Sequence, residues 1–88
     1  MLTQIIMVGS THSNVERLFG FDIYEDTGSA AAVVKLREGS GSGKVVKYLP
    51  LAIGESAFVV FDKPIFLAFP GGCYVQEVSG SVTGTLFH

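Results

Sequence analysis

Asp26-Thr27-Gly28-Ser29 is the stretch of this 88-residue chain whose residue types come closest to doing chemistry. Two aspartates brought face to face share one proton, and the ionised member then activates water. A chain with one such segment supplies the second carboxylate only by pairing with another copy of itself. The same residues are also ordinary turn chemistry: short polar side chains bond the local backbone, and glycine accepts a positive φ. Glu25 stands where a dry catalytic strand calls for an apolar residue, so a turn is the expected role.

Other segments fail on spacing. Gly39-Ser40-Gly41-Ser42-Gly43-Lys44 has the composition of a phosphate loop. Such a loop needs a longer gap between its outer glycines, a Ser or Thr after the lysine, and a helix behind it. Val45 follows Lys44 instead, and the next segment reads as a strand, so a flexible turn is expected. Gly54-Glu55-Ser56-Ala57-Phe58, with Asp62 and His88 downstream, has a serine in the setting of a nucleophile elbow. Phe58 occupies the place of the second glycine that this elbow requires. His12, Cys73 and His88 are the good nitrogen and sulfur ligands, and they lack the paired spacing of a structural zinc site. No catalytic, metal-binding or cofactor-binding residue is assigned, and the chain is expected to be non-enzymatic. Cys73, the single cysteine, excludes an intrachain disulfide, fits a reducing compartment, and reads as a small buried apolar residue.

The elements that would position these residues are strands. Val, Ile, Phe, Tyr and Thr dominate short runs cut by turn residues, and glycines recur at the cuts. The runs are 2–8, 15–24, 31–38, 44–52, 56–62, 65–69, 73–78 and 81–87. Turns about every ten residues point to a small all-β sandwich, jelly roll or barrel of about seven or eight strands in one domain. Asn14 is placed to cap one helical turn before Gly20. Ser79-Gly80 reads as the turn of a C-terminal hairpin. In 56–62, Phe58 and Val60 share one face while Ala57, Val59 and Phe61 share the other. A half-solvated strand alternates apolar with polar. This one does not, so it belongs either at the centre of the sandwich or against a neighbour.

Composition points the same way. Apolar residues make up 48% of the chain and charged ones only 16%, whereas an average domain carries roughly 25% charged. A domain this small buries only about 60–65% of the surface its unfolded chain exposes. The surplus is expected to meet other protein, which makes the chain an assembly subunit. Net charge is −2 and the six basic residues are scattered, so no counterion-displacing patch for nucleic acid is expected. Lys35, Arg37, Lys44 and Lys47 are near one another in sequence, but Glu38 sits among them. No run approaches the length of a membrane span, and residues 1–8 lack the basic start of a signal peptide. That apolar first segment is expected to add to the sheet edge of a neighbour.

Several pieces after Ala31 form a recurring pattern: Val34-Lys35-Leu36-Arg37-Glu38-Gly39, Gly41-Ser42-Gly43, Leu51-Ala52-Ile53-Gly54-Glu55-Ser56, Pro64-Ile65, Tyr74-Val75 and Gly80-Ser81-Val82-Thr83-Gly84. Through these pieces the stretch from Ala31 to the end, about two thirds of the chain, resembles small decoration (cement) proteins of tailed-bacteriophage capsids. The resemblance implies a β-sandwich or jelly roll, a homotrimer, the major capsid protein as partner, and residence in the virion after synthesis in the host cytoplasm. It implies no nucleic acid, membrane or cofactor. The residues expected at an oligomer or capsid interface are Leu2, Ile5, Ile6, Phe58, Phe61, Phe66 and Phe69. A tail or head-tail connector component is the alternative within the same virion. A host-encoded binding module, monomeric with one exposed pocket, is a further alternative. From a different class, the Asp26 segment resembles the retroviral-type aspartic proteases, small homodimers in which each chain gives one aspartate. Leu51-Ala52-Ile53-Gly54 loosely resembles their second signature, but Gly54 falls early and a β pattern follows where that family has a helix.

Overall fold

Turn glycines and apolar strand faces make this chain one antiparallel ribbon folded in half. The computed structural model describes residues 2–67 and 71–88. Phe69, expected at an interface, lies outside the described residues, as does the end of the expected 65–69 strand. The first half contributes β1 (Thr3–Ile5), β2 (Thr11–His12), β3 (Arg17–Glu25) and β4 (Ala32–Glu38). The second returns as β5 (Val45–Leu51), β6 (Ser56–Phe66), β7 (Cys73–Ser79) and β8 (Val82–Phe87). β4 pairs with β5, β3 with β6, β2 with β7 and β1 with β8, all antiparallel. The ribbon then wraps, so that β3 also meets β8 and β4 also meets β7. Two four-stranded sheets result, ordered β1-β8-β3-β6 and β2-β7-β4-β5. This is jelly-roll topology, within the all-β sandwich class that the sequence predicts.

The core fills the space between the sheets. Leu18, Phe21 and Ile23 of β3 with Val82 and Leu86 of β8 face Val34 and Leu36 of β4, Leu49 and Leu51 of β5, and Cys73 and Val75 of β7. Phe21 meets the half-buried Phe61 of β6 edge to face, with ring centroids 6.1 Å apart, the geometry aromatic quadrupoles favour. Gly20 is required where β3 and β6 come together. A Cβ there would run into the Val59 carbonyl.

Three sequence expectations change. Ser79-Gly80 is not a hairpin turn, because β7 and β8 belong to different sheets and the segment carries the chain across the sandwich. Asn14 caps no helix; among the described residues there is none, and the chain past it enters β3. Lys63-Pro64 does not end a strand. β6 runs through it on a sheet edge, where a missing N–H costs no ladder bond. The register absorbs the irregularity: β3 advances from Leu18 to Gly20 while β6 runs back from Ile65 to Val60.

Candidate interaction surface

Strand alternation gives each sheet an inner and an outer face, and the two outer faces differ. On the β2-β7-β4-β5 sheet, Lys35 lies opposite Tyr48 and Gln76, and Arg37 opposite Tyr74. That face mixes these polar groups with Val33, opposite Pro50, and with exposed Tyr48 and Val45. On the β1-β8-β3-β6 sheet, one row across the strands reads Thr3, Phe87, Gly20 and Val60, and the next reads Ile5, Thr85, Asp22 and Phe58. Ile5 is 71% exposed, Phe58 70% and Val60 57%. The rings of Phe58 and Phe87 lie 5.7 Å apart on this face, with no side chain at Gly20 to separate them. Tyr24, also exposed, extends the patch, and Asp22 is the charge within it. Phe66 projects at the end of β6, 71% exposed and opposite Arg17, whose guanidinium lies over the Phe19 ring.

The interface candidates therefore divide. Ile5, Phe58 and Phe66 are exposed on or beside this face, and Leu2 is exposed at the chain start. Ile6 is a correction: it is buried in the core and offers nothing to a partner. Phe61 takes the core side of the division, its half-buried ring packed inward against Phe21. Val60, Tyr24 and Phe87 join the surface without having been singled out. The same-face pairing of Phe58 with Val60 was the available signal for Val60. Tyr24 and Phe87 required the cross-strand register. Nor is the first segment a free arm. Leu2 and His88 exchange two backbone hydrogen bonds, β1 lies in the protomer's own sheet, and the Met7 N–H donates to His12 Nε2 at 2.9 Å. His12 Nδ1 then carries the proton and donates to the Cys73 carbonyl at 3.0 Å.

The motifs that suggested chemistry have structural duties. Glu25, buried at the end of β3, accepts hydrogen bonds from the Thr27 N–H (2.7 Å), the Thr27 hydroxyl, the Gly28 N–H (2.8 Å) and the Gly54 N–H (2.9 Å). One carboxylate thus clamps the 26–31 loop to the β5–β6 turn. Gly28 has φ 69°, which the Asp-Thr-Gly turn demands. Asp26 is exposed and accepts from the Thr83 hydroxyl. In the Gly39–Gly43 loop, Arg37 donates to the Gly43 carbonyl and to Gln76 Oε1, each at 2.8 Å. Burial pushes the Cys73 thiol up to about 12, which leaves it an inert core residue. Among the described residues no group of three or more His, Cys, Asp or Glu gathers where a metal could sit. An open cleft of about 340 Å³ is lined by Leu2, Asn14, Glu16, Arg17, Phe19 and His88. Its walls are polar and apolar in about equal measure, whereas most small-molecule pockets are lined mainly by apolar side chains.

The Glu25 clamp makes stability depend on acid. The Thr27 hydroxyl bond first, then the Gly54 N–H, hold its carboxyl at about 2, against an ordinary 4.5, and outweigh the opposing effect of desolvation. A carboxyl depressed in the folded state stabilises fully above its unfolded pKa and loses that contribution as pH falls through the folded one. Thermal melts of the wild type are therefore expected to drop between about pH 4.5 and 2. Glu25→Gln should lower the melting temperature at pH 7 by several degrees and flatten the drop. Parallel pH profiles for the two proteins would refute the clamp.

Comparison with protein-family models, curated proteins and solved structures finds no match.

Proposed function

We propose that this protein is a non-enzymatic structural subunit of a tailed-phage virion, a self-associating decoration protein that binds the major capsid protein on the assembled head. The observation that carries the reading is the apolar outer face of the β1-β8-β3-β6 sheet, where Ile5, Phe58 and Val60 stand exposed together. Contiguous apolar patches on small domains mark surfaces that meet other protein. The jelly roll is compatible with this role, since viral capsid domains use it, but lectins and cupins use it too. The surface, and the resemblance of the residue pattern to that of cement proteins, therefore support the reading more than the fold does.

A cement subunit contacts neighbours that lie side by side only in the finished shell, so several weak contacts act at once. It should bind expanded heads and have little affinity for free capsid protein. Binding the intact shell stabilises it by mass action. Heads carrying the protein are expected to survive to higher temperature than heads without it, measured by DNA release on heating. Equal release temperatures, or recovery of the protein in purified tails, would overturn the assignment; the second result would favour the tail component.

A further inference from the structure

Four strands lie at sheet edges: β1 and β6 in one sheet, β2 and β5 in the other. An edge offers unpaired N–H and C=O groups, and proteins blunt such edges with short strands, lysines, prolines or bulges. β1 spans three residues and β2 two, while β5 carries Lys47 and Pro50. β6 is the longest strand, eleven residues, and among the described strands it pairs only with β3. Its second half is blunted by Asp62, Lys63, Pro64 and the register shift opposite Leu18–Gly20. Its first half, Ser56 to Phe61, has no charge, no proline and no bulge, and it turns Phe58 and Val60 outward.

We propose that the first half of β6 pairs antiparallel with the same segment of a second copy about a twofold axis, joining two β1-β8-β3-β6 sheets into one eight-stranded sheet. This deepens the self-association in the function proposed above and names its surface. Residues opposite each other in an antiparallel ladder project to the same face, so the register must set outward side chains against outward ones. A twofold at Val59 sets Phe58 against Val60 of the second copy, and Asp62 against its Ser56. It also brings Lys63, just past the regular part of β6, toward Glu55 of the second copy, so opposite charges approach at both ends of the ladder. Both residues are exposed, and Glu55 Oε1 already accepts from the Ala52 N–H. A twofold at Val60 would press the Asp62 carboxylate against Phe58. One at Phe58 would leave Lys63 opposite Ile53. Charge and shape therefore select the Val59 register.

A head-to-tail ring through this sheet would need β6 to pair with β1 of the next copy, and β1 offers only three residues. Closed twofold pairing uses the longer ladder. The threefold implied by the capsid resemblance therefore does not run through this edge.

Sedimentation equilibrium of the whole chain tests the pairing, with circular dichroism confirming the fold of each variant. The wild type is expected to be a dimer at micromolar concentration. Phe58→Lys combined with Val60→Lys sets like charges across the ladder and should weaken association about 100-fold or more. Glu55→Lys and Lys63→Glu should each weaken it roughly tenfold, and the double swap should restore it to near the wild-type value. A monomer at all concentrations, a trimer, or a double swap weaker than either single variant would overturn the proposal. Head binding separates this from the proposed function. A trimer that still decorates heads refutes only the β6 pairing, and a dimer that ignores heads refutes only the decoration role.

Discussion

Deleting residues 1–8 is expected to unfold most of the protein at room temperature, although the segment lies at the chain start and much of it is exposed. Its removal strips β1 from β8 and takes away both Leu2–His88 hydrogen bonds and the bond from the Ile6 N–H to the Gly84 carbonyl. It also withdraws the Met7 N–H from buried His12 and empties the core site of Ile6. One buried Ile contributes about 1.5–3 kcal/mol, and each hydrogen bond roughly 0.5–1.5 kcal/mol net. The total is on the order of 5 kcal/mol or more, in a domain whose whole stability is about 0.05–0.15 kcal/mol per residue. Urea titration followed by far-ultraviolet circular dichroism reads the result. A truncated chain with an unchanged midpoint would mean that the segment is an arm given to a neighbour. The structure assigns it to the protomer's own sheet, so it is not an arm free to join the sheet of a neighbour.

The fold was legible because turn residues and β-branched runs act locally. Gly and Asp clusters mark most chain reversals from local residues alone, and apart from Lys63-Pro64, which lies inside β6, the cuts fall close to the real strand limits. Pairing is not local. Whether Ser79-Gly80 turns a hairpin or carries the chain between sheets depends on β3 and β4, which are far away in sequence. The place of β6 was equally hidden. Its doubly apolar sequence fits a central strand or an edge strand with a partner, and only the sheet order shows that it lies at an edge. Glu25 was overlooked as a structural residue for a related reason. Its partners include the Gly54 N–H, brought near only by the β3–β6 register. Ile5 and Ile6 are neighbours of the same chemistry, and strand alternation alone sends the first to the surface and the second to the core.

Phe21→Ala and Phe58→Ala should differ in their effect on protomer stability by about 3–5 kcal/mol, although each removes the same benzyl group. Phe21 is fully buried between the sheets and holds the ring of Phe61 edge to face. Truncating it leaves a cavity and forfeits the transfer of a whole aromatic side chain, which costs roughly 3–5 kcal/mol. In a small jelly roll this brings the folded state close to its limit, so the variant is expected to be partly unfolded at physiological temperature. Phe58 is 70% exposed and contacts the Phe87 ring on the outer face. Its loss in a dilute monomer should stay within about 0.5 kcal/mol, as for most surface substitutions. The order reverses for association: Phe58→Ala weakens self-pairing, whereas any Phe21→Ala protein that remains folded keeps the β6 edge intact. Chemical denaturation at low protein concentration, set beside sedimentation at high concentration, separates the two effects. Equal stability losses would mean that β6 has its other face in the core, and the apolar patch would lose its place as the assembly surface.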